Sequence, residues 1–222
     1  MKNISTNIIF IILLSSCASI EQIHKNELSD GSYKQIDAIK SKKVQIENLN
    51  DTIAVYYNAI QGINLPMYNS KQENIQFKKL SFDVDLITIP VKYRPSIKGI
   101  PNQLTTDINA SIYLGIRNDL YKINYSKSIS GLYKRKIQHL GFSIGGIFGI
   151  GNTLVNEHYT SSQITNEYQG IVLSKGIAGI VAINNYTIGL SYGFDQLLDK
   201  NRLFWVYQQK PWLGLTLGLN IN

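Results

Sequence analysis

The feature that most constrains this chain is its end, Pro211-Trp-Leu-Gly-Leu-Thr-Leu-Gly-Leu-Asn-Ile-Asn222. There Leu213, Leu215, Leu217, Leu219 and Ile221 alternate with Gly214, Thr216, Gly218 and Asn220. A strict period of two puts every large aliphatic on one face of a β-strand and every small or polar residue on the other. Glycines and short polar groups are what the crowded inside of a small barrel requires. The strand is therefore predicted to face lipid on its aliphatic side and a lumen on the other.

The rest of the composition is read against that expectation. A chain of 222 residues has room for one domain and a short extra piece, and 44% apolar with 17% charged residues separates neither soluble from membrane proteins. The distribution is more telling: from Lys136 onward lie only 9 of the 37 charged residues but 12 of the 17 glycines. A net charge of +7, with no run of five or six basic residues, argues against nucleic acid as a partner. A single cysteine excludes an intramolecular disulfide and a cysteine-built metal site, and no cofactor or metal is expected.

Taken in order, Met1 to Asn7 is a short basic start, Ile8 to Leu14 a seven-residue apolar run, and Ser15-Ser-Cys-Ala-Ser19 a small-residue end. That is a secretory signal, too short to span a bilayer as a helix. Leu14-Ser15-Ser16-Cys17 resembles the bacterial lipobox, which implies lipidation of Cys17. Residues 18–79 are expected to form a periplasmic segment: Val44–Leu49 and Thr52–Tyr57 flank Asn50-Asp51 as a hairpin in water beside the membrane, and 58–79 reads as connecting chain.

From Leu80 the alternation is sustained. Phe82, Val84 and Leu86 oppose Ser81, Asp83 and Asp85, and the register breaks between Ile87 and Pro90, which predicts a bulge or strand end. Val91 and Tyr93 then oppose Lys92 and Arg94. Further strands are predicted at 108–117, 136–151, 168–183, 186–195 and 211–222, with a tight turn at Asn184-Asn185. The fold expected is all-β, a closed antiparallel up-and-down membrane β-barrel over 80–222. Eight strands are favoured over the six that the alternation gives, with 119–135 or the hairpin before Tyr57 supplying the others.

The apolar and small alternation, the short and long connections in turn, and the aromatic clusters Phe204, Trp205, Tyr207 and Trp212 resemble the small outer-membrane β-barrel proteins of Gram-negative bacteria. Phe82-Asp-Val-Asp, Pro90-Val-Lys-Tyr-Arg-Pro95 and Lys210-Pro-Trp-Leu-Gly-Leu look like an uncharacterised Bacteroidetes-type group of them. The chain departs in ending Ile221-Asn222, where such strands close on an aromatic. The resemblance implies an outer-membrane location, with membrane lipid and the barrel-assembly machinery as partners and an envelope or extracellular ligand unspecified. If the terminal strand ends at the periplasm, the loops at 94–104, 152–167 and 196–209 face outside.

Chemistry is thin. By resemblance to lipid-modifying barrels, which use a histidine, a serine and an acid, Ser143, His139 and Glu157 can be proposed as nucleophile, base and orienter, but His139 and Ser143 lie four residues apart on one strand, roughly 13 Å. No catalytic residue is expected. Asp83, Asp85, Lys92, Arg94, Arg117 and Asp195 fall on lumen faces or rims, as either a polar pore or an ion-pair network that plugs a narrow barrel. Three functions compete: a non-enzymatic barrel serving envelope structure or surface interaction, a lipid-anchored soluble barrel holding a hydrophobic ligand, and a lipid-modifying membrane enzyme. The first two differ in whether Leu213, Leu215, Leu217 and Leu219 point outward or inward.

Overall fold

The computed structural model describes residues 28–36, 41–49, 51–58, 62–71, 73–97, 99–183 and 186–219. The expected signal sequence with Cys17, the expected turn at 184–185 and residues 220–222 lie outside the described residues. What is described is all-β, with two short 3-10 helices, His158–Thr160 and Lys200–Leu203. Every strand belongs to one antiparallel sheet.

Six strands make a ring: β6 (Asn74–Arg94), β8 (Asn109–Lys127), β9 (Tyr133–Val155), β10 (Tyr168–Ile183), β11 (Tyr186–Leu197) and β12 (Pro211–Leu219). They pair in that order, and β12 pairs back onto β6, so the strands form a ring. Six strands close it where eight are expected. Residues 119–135 add no strand of their own; they extend β8 and β9 into one long hairpin, paired from Asn109↔Gly151 to Lys127↔Tyr133 and turned through Ser128 to Leu132.

The N-terminal strands β1 (Gly31–Ile36), β2 (Ser41–Leu49), β3 (Thr52–Tyr56) and β4 (Gly62–Pro66) continue the same sheet from one edge of β6. The short β5 (Tyr68–Asn69) then reaches β9 at Tyr133 and Lys134. The hairpin predicted around 50–51 is β2 with β3, but it is joined to the ring through β1. The stretch 58–79 holds β4, β5 and the start of β6, which runs unbroken across 79–80. Its polar composition hides strands whose burial comes from neighbours distant in sequence.

Two strands change partner part-way. On one edge of β6, Gln76–Lys78 pair with β1 and Ile87–Tyr93 with β12; on one edge of β9, Tyr133 and Lys134 pair with β5 and Leu140 to Val155 with β10. Of the bulge or strand end expected at Pro90, the structure has the bulge: the β12 register shifts between Leu215↔Val91 and Leu217↔Thr88, so inward parity passes from Ile87 and Ile89 to Lys92 and Arg94. The backbone freed there is bonded by Asn109, whose Oδ1 accepts from Ile89 N at 2.7 Å and whose Nδ2 donates to Ile89 O at 2.6 Å. The last strand on the β6 edge, β7 (Gln103–Thr105), covers Lys92 to Arg94.

The interior is filled in layers. At the end bearing the N-terminal strands, Tyr33, Ile46, Val55, Leu65, Phe77 and Ile123 form an apolar core. Ile87, Ile89, Tyr113, Ile147, Ile180 and Trp212 pack across the middle. At the far end Ile100, Val155, Val172, Leu197, Trp205 and Tyr207 close the ring under its loops.

Candidate functional site

Three of the ring strands, β6, β8 and β9, reverse their chemistry along their length. On β9 the outward positions run Lys134, Lys136 and Gln138, then Leu140, Phe142, Ile144, Phe148 and Ile150, all exposed. The inward positions run the other way, from Ile137 against the apolar core to the buried His139 and Ser143. On β8, outward Lys122 and Asn124 give way to Ile116, Leu114 and Ile112, while inward Ile123 and Tyr125 give way to Asp119 and Arg117. On β6, outward Gln76 and Lys78 give way to Leu80, Phe82 and Val84, while inward Phe77 gives way to Asp83 and Asp85. The switch falls at one level, since Leu80 pairs with Asn118 and Leu120 with Leu140.

Above that level the outside is aliphatic all round. Leu213 is 53% exposed and Leu217 38%, while Gly214 and Thr216 between them are buried. Ile177, Ile188 and Leu190 continue the belt on β10 and β11. Lys175 is the one outward charge within it among the described residues.

All six polar residues expected on lumen faces are buried, at 0 to 3% exposure. They make two clusters. In the first, Lys92 Nζ lies 3.0 Å from both carboxylate oxygens of Asp195 and 3.2 Å from Ser174 Oγ. Ser174 donates to Asp195 Oδ1 at 2.6 Å, and Arg94 Nη2 donates to Oδ2. One carboxylate thus holds two cations. In the second, Arg117 Nε donates to Asp119 Oδ1 at 2.8 Å and Nη1 lies 3.4 Å from Asp83. His139 Nε2 is 2.6 Å from the same Asp119 oxygen, Ser81 donates to the other at 3.1 Å, and the His139 ring stacks on Tyr121 at 4.6 Å. Asp85 is buried beside it on the same face of β6.

Of the aromatic residues Phe204, Trp205, Tyr207 and Trp212, only Phe204 is exposed and the other three are buried. Trp212 lies under Lys92, 4.6 Å from its ring centre, and Arg94 sits over both Trp205 and Tyr207, at 5.5 and 5.0 Å. They shield the cations that Asp195 neutralises. Inward glycines make the room: a Cβ at Gly193 would meet the Trp212 ring at 2.6 Å, and one at Gly141 would meet Arg117 Nε at 2.7 Å.

No family model, curated protein or solved structure matches this chain. The site is therefore judged on its own geometry. Ser143, His139 and Glu157 are not brought together: Ser143 Oγ is 2.6 Å from the Tyr113 hydroxyl, His139 is held by Asp119, and Glu157 is at the loop end beside the His158–Thr160 turn. His158 packs at the loop surface against Tyr159. Among the described residues no group of three or more histidine, cysteine, aspartate or glutamate side chains could hold a metal, and no helix is long and apolar enough to cross a membrane. Tyr113 was read on one face with Arg117, and Asp119 continues that parity on β8; no face was assigned along 168–183, so Ser174 was missed, and none of the partners was legible.

Proposed function

We propose that this chain is a non-enzymatic β-barrel of the Gram-negative outer membrane, exported by its N-terminal signal, that serves envelope structure or surface interaction through its outer loops. The observation that carries this is the reversal of inside and outside chemistry along β6, β8 and β9. Water outside and an apolar core inside suit one half of each strand; only a nonpolar surround suits the other, where aliphatics face out and ion pairs face in. The belt from Leu140 to Ile150 is ten residue steps, about 33 Å along the strand, or roughly 25 Å of height at the usual tilt, the thickness such proteins present to lipid.

The loops at 94–104, 152–167 and 196–209 share one end of the ring, and the N-terminal strands occupy the other, which supports the former as the outer side. A six-strand ring is narrower than one of eight, whose interior side chains already fill, and the two ion-pair clusters support a plugged interior over a pore. The outward Leu213 and Leu217 favour this over a soluble barrel with a ligand among its leucines. Membrane lipid and the barrel-assembly machinery are the partners it implies. The test is migration of the purified protein on gels with and without boiling, beside its solubility without detergent. Heat-modifiable migration and detergent dependence are expected; a monodisperse, detergent-free monomer overturns the proposal.

A further inference from the structure

Lys34 on β1 is the direct cross-strand partner of Lys43 on β2 and of Lys78 on β6. All three are exposed. With strands about 4.8 Å apart, three ammonium groups are rooted in a row roughly 10 Å long. Like charges set directly opposite destabilise a sheet, and among the described residues none of the three has a carboxylate partner. The row lines a groove of about 580 Å³ whose wall also carries Lys79 and Leu80. Lys79 is held in place over the Tyr33 ring, 5.0 Å from its centre, and donates to Ser29 Oγ at 3.2 Å.

The place of this groove is as informative as its charge. Leu80, 74% exposed, and Phe82, 67% exposed, begin the aliphatic belt where the lysines stop. Between Lys78, its last pairing with β1, and Ile87, its first with β12, this edge of β6 has no partner strand among the described residues. A cationic recess thus opens onto an apolar seam.

We propose that the groove binds an anionic glycerophospholipid, its phosphate on the Lys43, Lys34 and Lys78 row and its acyl chains along Leu80, Phe82 and Val84. This rests on the membrane placement proposed above and adds a headgroup-selective site at the edge bearing the N-terminal strands. Inorganic phosphate shares the headgroup chemistry but gains nothing from the seam.

The test uses the full chain in detergent micelles, titrated with phosphatidylglycerol, with phosphatidylcholine of the same acyl chains and with inorganic phosphate, and read by native mass spectrometry. Phosphatidylglycerol is expected to bind selectively, and Lys34→Gln with Lys78→Gln to weaken it by about fivefold per lysine, near 25-fold together. Lys122→Gln with Lys136→Gln removes the same charge from the polar outward stretch of β8 and β9, outside the groove, and is expected to leave selectivity intact. Equal loss in both pairs means diffuse surface charge only, and inorganic phosphate binding as tightly means a free-ion site; either overturns the proposal. So does absence of headgroup preference in a chain that remains heat-modifiable, whereas a chain that needs no detergent removes the membrane placement first.

Discussion

Replacing Ile144 by arginine tests the surround of the belt directly. Ile144 is 60% exposed, and Leu140 and Ile150 at the belt limits are 46 and 59% exposed. The belt midpoint on β9 falls near residue 145, so the Ile144 Cα lies within about 3 Å of mid-height, given the ~3.3 Å rise and the strand tilt. Its outward direction offers an arginine no carboxylate, since the interior acids lie on the opposite face. At the middle of a bilayer such a change costs about 2–4 kcal/mol, and near the interface about 0–1 kcal/mol. On a water-exposed sheet surface it falls within about 0.5 kcal/mol. The assay is reversible urea unfolding in phospholipid vesicles for Ile144→Arg and Leu140→Arg, followed by intrinsic fluorescence. A loss at 144 several times that at 140 is expected; equal, near-zero losses at both refute a hydrocarbon surround.

Asp195→Asn leaves Lys92 and Arg94 facing each other without their shared anion and is expected to cost about 3–5 kcal/mol. Both tryptophans of the chain stand against those cations, so a shifted emission spectrum should accompany the loss, and adding Lys92→Met should recover part of it; additive effects would show that the pair does not interact. Gly145→Val would drive a side chain into the Leu114 carbonyl and the Gly115 Cα on the neighbouring strand and is expected to cost at least 1–3 kcal/mol in the same unfolding assay; full stability would mean that β8 and β9 are not so closely apposed. Arg135 donates through Nη1 to the Leu65 carbonyl, and its backbone N–H donates to Met67 O at 2.8 Å. Arg135→Ala should raise hydrogen exchange in β4 while leaving β10 and β11 protected, and unchanged exchange in β4 would show that this bond does not hold the N-terminal strands.

Much of the ring was legible because alternation is a local property of the strand. The bounds of β10 agree with the expected 168–183, β11 starts at the expected Tyr186, and the register break at Pro90 was readable from a missed beat in the pattern. The strands between 58 and 79 were not legible. Their outward positions are polar and their inward ones sparse, and they gain the apolar partners Ile123 and Tyr125 only through pairings far along the chain. The partners of the aromatic residues 205, 207 and 212 were not legible for a related reason: only the placing of Arg94 and Lys92 in space sets these rings against cations.

By itself the sequence determined which residues share a face, because successive side chains of an extended backbone must point to opposite sides. That set Asp83 and Asp85, Lys92 and Arg94, Arg117, and Asp195 opposite the large aliphatics of their strands, on faces or rims expected to line a lumen, without any knowledge of their partners. Only the tertiary structure decided that six strands close the ring, that β6 exchanges β1 for β12 part-way, and that Asp195 answers Lys92 across 103 positions of chain. Closure and register depend on which edges meet in space, and a period of two is the same whichever edge a strand finds.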